Sequence, residues 1–137
     1  MKYMLDTNIC IYAMRSMTSE LAERLESCAW GELGISAISL AELEYGVLAG
    51  APERSAALRA KLDSLLEDLM VAPFDADAAG AYATIRRLAP ERNRHALDKL
   101  IAAHAVGLGA VLVTNNEADF RRFPNLTVEN WTQAREV

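Results

Sequence analysis

The chain has 137 residues, with 52% apolar and 24% charged side chains and a formal net charge of −5. That length and balance fit one soluble domain spanning residues 1–137. The net charge argues only weakly against a dedicated nucleic-acid coat, while the lack of any apolar run near the roughly 18 residues of a bilayer span, or of a signal-peptide stretch, predicts a cytoplasmic protein without a membrane partner.

Residues 2–5 of "KYMLDTN" predict a short buried strand, and Asp6 at its end is either a helix cap or a ligand for something positive. "TNICIYAM" continues as a short helix with Ile9, Tyr12 and Ala13 on one face. "TSELAERLESC" is a second helix, capped by Thr18 or Ser19. "LGIS" is a strand entered through Gly31 and Gly34, and "SLAELEYGVLAG" a helix in which Ser39 and Glu42 have capping-box spacing. "PERSAALRAKLDSLLEDL" is long and amphipathic, with Leu58, Leu62, Leu65, Leu66 and Leu69 on its apolar face.

"MVAPF" is a brief strand, and Asp75 or Asp77 opens a helix that runs to Leu88. Pro90 breaks it, leaving the polar loop "PERNRH". "ALDKLIAAHAVGLG" is the next helix, with Leu97, Leu100, Ile101 and His104 facing inward and Gly107 and Gly109 ending it. "AVLVT" is the strongest strand, followed by the polar cluster "NNEADF", and a last strand lies around "LTVEN". Strands alternate with helices too closely for hairpins, so the expected fold is α/β with a central parallel sheet.

In such sheets ligands bind at the carboxyl ends of the strands. Asp6 follows the first strand, the "TNNEAD" cluster follows the strongest, Glu42 lies one turn into the helix after "LGIS", and Asp98 lies near the start of its own helix. Clustered carboxylates repel and need a cation; oxygen-only ligands suit magnesium or manganese, which activate water and stabilise the leaving oxygen of a phosphodiester. No serine–histidine–acid or cysteine–histidine arrangement competes. His104 on the apolar stripe is a core histidine, His95 sits in the arginine loop, and Cys10 and Cys28 are small buried apolar residues outside any zinc-binding spacing. Arg86, Arg87, Arg92, Arg94, Arg121 and Arg122 cluster in one stretch; they grip phosphate or form a solvated face.

"MLDTNICIYAM", "SAISLAELEYG" at 36–46, "ALDKLIAAHA" at 96–105 and "LVTNNEADF" at 112–120 resemble, in order and spacing, the signature blocks of the PIN-domain family, and most closely VapC-type toxins of bacterial toxin–antitoxin pairs. The resemblance covers Lys2 to about Trp131. It implies a three-layer α/β/α domain and a magnesium-dependent endoribonuclease, with tRNA among the targets of some relatives. It further implies a cognate VapB-type antitoxin and, commonly, a homodimer. Carried over by position, it assigns the metal to Asp6, Glu42 and Asp98, with Thr7, Asn8, Ser39 and Thr114 in support. Many relatives carry an acid where this chain has Asn116, so Asp119 is expected to complete the catalytic and metal set, with Glu117 in reserve. Two other readings stand at this stage. One is a catalytically inactive partner-binding domain. The other is a haloacid-dehalogenase-like phosphatase, which wants a second aspartate where Asn8 stands.

Overall fold

The computed structural model of the chain describes residues 1–88 and 96–133. In chain order the elements are β1 (Tyr3–Leu5), α1 (Thr7–Arg15), α2 (Ser19–Glu26), β2 (Leu33–Ser36), α3 (Ala37–Leu48), α4 (Pro52–Leu66), β3 (Met70–Ala72), α5 (Ala76–Leu88), α6 (Ala96–Leu108), β4 (Val111–Val113), α7 (Glu117–Phe120) and β5 (Val128–Glu129). The strands form one sheet in the order β3-β2-β1-β4-β5, and every pairing is parallel. From β1 the chain winds outward through β2 to β3, then returns to pair β4 on the other side of β1. The junction of β1 and β4 is therefore the switch point, where a crevice opens at the carboxyl edge.

The period-two alternation of strands divides the core. Leu5, Leu33, Ile35 and Val113 pack with Ile9, Leu21, Leu43, Val47 and Leu62, a layer drawn from α1 to α4. Met4 and Leu112 face the other way, against Ile85 of α5, Ile101 and neighbouring alanines of α6, and Phe120 and Phe123. Two helical layers thus enclose the sheet, as expected for three-layer α/β/α architecture. Each large apolar side chain buried in these cores contributes roughly 1.5–3 kcal/mol against the entropy of ordering the chain.

Four local expectations are corrected. The helix after β2 starts at Ala37 with Ser36 as its cap, so Ser39 and Glu42 form no capping box: the strand runs into the helix without a loop, and the cap falls on the strand's last residue. Leu97 is 47% exposed while Lys99 beside it is 3% exposed. The reason is that α6 is packed by the sheet, α5 and α3 together, and buries the continuous run Ile101 to Ala105 rather than one stripe. Gly107 lies within α6, against the Ala78 backbone of α5, and Gly109 with φ +65° is the residue that ends the helix. Leu69 is buried but lies beyond the end of α4. The loop containing Arg92, Arg94 and His95 lies outside the described residues.

Gly34 sits in β2 where a Cβ would collide with the Met70 carbonyl oxygen of β3 and with the Met1 side chain. Gly46, on α3, has open space around it. Gly34→Ala should lower unfolding free energy by about 1–3 kcal/mol, the usual cost of forcing atoms into a packed site. Gly46→Ala should raise it by roughly 0.5–1 kcal/mol through helix propensity. Urea titrations of both variants check the opposite signs.

Candidate active site

β1 ends at Leu5, and Asp6 continues its ladder, its N–H donating to the Val113 carbonyl at 2.9 Å. Asp6 is 2% exposed. Its Oδ1 accepts the Ile9 N–H at 2.8 Å, so it caps α1, and its Oδ2 accepts the Thr114 hydroxyl at 2.5 Å from the end of β4. Each carboxylate oxygen retains lone-pair capacity beyond these bonds. Capping and ligation therefore do not exclude one another at Asp6. Burial pushes its carboxyl from an ordinary 3.8 up to about 6; the Thr114 and Ile9 hydrogen bonds oppose the rise, and the charges of Asp98 and Glu42 add to it.

Glu42 comes from α3 on one side of the sheet. The Thr7 hydroxyl, one residue after Asp6, donates to its Oε1 at 2.6 Å and lies 3.0 Å from Ser39 Oγ. A hydroxyl has one proton to give, so with Glu42 taking it, the Ser39 contact uses the serine's own proton. Ser39 is fully buried. Asp98 comes from the first turn of α6, on the opposite side of the sheet.

A second polar chain leaves Thr114. Its Oγ1 accepts the Asn116 N–H at 3.0 Å, and the Asn116 side-chain amide donates to Asp119 Oδ2 at 2.5 Å. Glu117 points elsewhere: its carboxylate accepts from Arg121 at 2.8 Å, and that bond holds its pKa below the usual range. The segment thus joins Asp119, not Glu117, to the Asp6 network through Asn116. Asn8 is exposed on the first turn of α1, and its position rather than any buried contact links it to the site. Arg86 and Arg87 are exposed at the end of α5. Because the start of α5 packs on Gly107 near the end of α6, the end of α5 lies by the start of α6, on the side of Asp98.

The donor set fits a hard divalent cation. It is all oxygen, and the central carboxylate is buried beside two like charges with its pKa raised. Among the described residues no three His, Cys, Asp or Glu side chains are close enough to close on one ion as they stand. Magnesium keeps several of its waters and is bound through a few carboxylates rather than a dedicated cage, so it does not require three side chains already closed on one point. The thiols stay apart from this chemistry: Cys10 is buried and its pKa is pushed far up by burial, while half-buried Cys28 donates to the Arg24 carbonyl at 3.5 Å. Two features were not legible in advance, the role of Ser36 as the α3 cap and the burial of Lys99. A serine closing a strand immediately before a helix was the available signal for the first.

An open parallel sheet with acids from all three layers at its switch point defines a class of metal-ion hydrolase sites. The chain matches the PIN domain over residues 3–126, and it belongs to that family. Within it, the chain is 40% identical to "Ribonuclease VapC2" of Rickettsia felis, over 96% of this chain and 98% of that protein. It is 34% identical to the "tRNA(fMet)-specific endonuclease VapC" of Shigella flexneri, over 96% of this chain and 99% of that one. Among solved structures, VapBC2 of Rickettsia felis bound to a promoter DNA fragment superposes with a TM-score of 0.87 at 39% identity, covering 96% of this chain and 99% of that chain. DNA-bound VapBC of Salmonella typhimurium gives 0.84 at 36% identity, covering 96% and 98%.

The raised pKa of Asp6 has a thermodynamic sign. The folded value, about 6, exceeds the ordinary 3.8, so the stability linked to the protonated carboxyl is fully present below the unfolded pKa and is lost as pH rises through 6. The shift corresponds to about 3 kcal/mol. Metal-free Asp6→Asn should therefore resist urea better than wild type near about pH 7.5, with the gap closing as pH falls toward about 4. A pH-independent gap between the two titration curves would contradict the assignment.

Proposed function

We propose that this chain is a VapC-type endoribonuclease, the toxin of a toxin–antitoxin pair, cutting RNA with the help of a divalent cation. The observation that carries the reading is the convergence of Asp6, Asp98 and Glu42 from three layers on the switch point of a PIN sheet, in a chain similar along nearly its whole length to VapC ribonucleases. Asp6, Glu42 and Asp98 would hold the cation, Mg2+ or Mn2+, with Asp119 as the fourth acid. When bound, such an ion supplies positive charge to the phosphodiester being cut and acidifies water.

The chain's own residues do the rest. The Ile9 N–H and Thr114 hydroxyl fix both oxygens of Asp6, Thr7 and Ser39 fix Glu42, and Asn116 orients Asp119. Asn116 brings a dipole and no charge, which is why Asp119 matters. Arg86 and Arg87, with Arg92 and Arg94 a few residues on in the sequence, are the phosphate-gripping candidates. Transfer RNA is the substrate to test first, since relatives are named as tRNA(fMet)-specific endonucleases. The partner is a VapB-type antitoxin, supported by structural neighbours that are VapBC complexes. A homodimer has a suitable seat on α3, where Tyr45 is 72% and Leu48 79% exposed and the charge of Glu44 is matched by Arg59 at the rim.

Asp98→Ala should fold and abolish RNA cleavage, and EDTA should silence the wild type until Mg2+ or Mn2+ is restored. Cleavage at wild-type rate by the variant would sink the site assignment.

Asp119→Asn should weaken Mg2+ dependence and cleavage by about tenfold or more, the usual effect of disturbing a metal site's supporting residues. Glu117→Gln should change both by less than about threefold, since that acid is already engaged by Arg121. Side-by-side Mg2+ titrations of cleavage rate decide, and the reverse order would move the fourth acid to Glu117.

A further inference from the structure

Asp98 rides on α6 and Glu42 on α3, helices whose main cores lie on opposite faces of the sheet but which also touch one another, so their separation depends in part on what ties α6 to the junction of β2 and α3. A buried hydrogen bond makes that tie. His104 of α6 is 1% exposed, and its Nδ1 lies 2.7 Å from Ser36 Oγ, across 68 residues of sequence. Ser36 is both the last residue of β2 and the cap of α3, its Oγ accepting the Ile38 N–H at 3.0 Å. That bond uses one of the hydroxyl's two lone pairs, and its second lone pair or its own proton makes the bond to Nδ1, whichever tautomer the ring adopts.

Nε2 is a buried polar atom with no hydrogen-bond partner among the described residues, and the Phe74 ring packs edge-on to the imidazole at 5.3 Å and 72°. Burial lowers the His104 pKa, against the opposing influence of Asp75 and a hydrogen bond to the Pro73 backbone. A position filled only for packing would be better served by an apolar side chain, because burying polar ring nitrogens costs stability. What the imidazole adds is a directional bond to one particular oxygen.

We propose that His104 is a positioning residue of the carboxylate cluster: through Ser36 it sets the rotation and height of α6 against the start of α3, and with them the spacing of Asp98 from Glu42 on which cation binding depends. The inference rests on the metal-site reading above and concerns a residue outside the acid set.

The test compares Ser36→Ala, His104→Leu and His104→Asn in the full chain. Mn2+ affinity of the RNA-free protein is read by calorimetry, with thermal unfolding and RNA cleavage kinetics alongside. Asparagine places an amide near the Nδ1 position and can renew the bond to Ser36, whereas leucine keeps only bulk. Ser36→Ala and His104→Leu should each weaken Mn2+ binding about tenfold and lower kcat with little change in KM for RNA. His104→Asn should recover most of the loss, and the double variant Ser36→Ala/His104→Leu should be no weaker than the worse single one, since both remove the same bond.

Wild-type Mn2+ affinity in folded Ser36→Ala or His104→Leu overturns the inference, even if melting is lowered, because His104 then only packs. Ser36→Ala deletes one oxygen and carries the decision should the leucine variant fail to fold. A wild-type chain that binds Mn2+ but leaves RNA intact counts against the ribonuclease reading alone, and one that binds no Mn2+ overturns both.

Discussion

A carboxylate sealed from water at the end of the central strand governs how this protein is built. Asp6 is 2% exposed, and a lone charge in that setting is costly unless hydrogen bonds or a counter-charge meet it. Two donors meet it in part. The first is the opening turn of α1, which begins where it does because Asp6 caps it. The second is Thr114, delivered by the pairing of β4 beside β1. The desolvation that remains shows as a carboxyl pushed up to about 6. The apolar cores on both sides of the sheet supply the stability that tolerates it.

The polar side chains near the strand ends are arranged as three tethers. Thr7 ties the α3 acid to the residue after Asp6, Thr114 and Asn116 extend the network to Asp119, and His104 ties α6 to Ser36. Each tether spans two elements. Buried polar bonds of this kind contribute modestly to stability on average, and their directionality is what an apolar contact lacks. In the proposed site that directionality holds mutually repelling acids at fixed spacing.

Much of this was legible in the residues because fully buried parallel strands are written as short apolar runs. "LGIS" and "AVLVT" mark β2 and β4, and an acid or serine at the end of such a run falls on the functional edge. Local grammar failed where a partner comes from far along the chain. Ser39 and Glu42 carry the spacing of a helix cap, yet Thr7, more than 30 residues earlier, takes both. Helical periodicity placed Leu97 inward, but Leu97 is exposed, and a helix enclosed on several sides buries Lys99 instead. Sequence alone ranks Asp119 ahead of Glu117 without a contact to separate them; Arg121, one turn beyond Glu117, supplies that distinction by engaging Glu117.

The Thr114–Asp6 bond joins residues 108 apart in sequence, and β1 has its two strand neighbours in β2 and β4. During synthesis the first strand leaves the ribosome long before the segment that completes its surroundings. Until β4 emerges, the slot beside β1 is open and Asp6 lacks the hydroxyl that fixes its second oxygen. An RNA-cutting chain built in this order stays incomplete for most of its own translation. Sheet topology thus sets the order of assembly: the edge that carries Asp6 is finished only after the segment bearing β4 has been made.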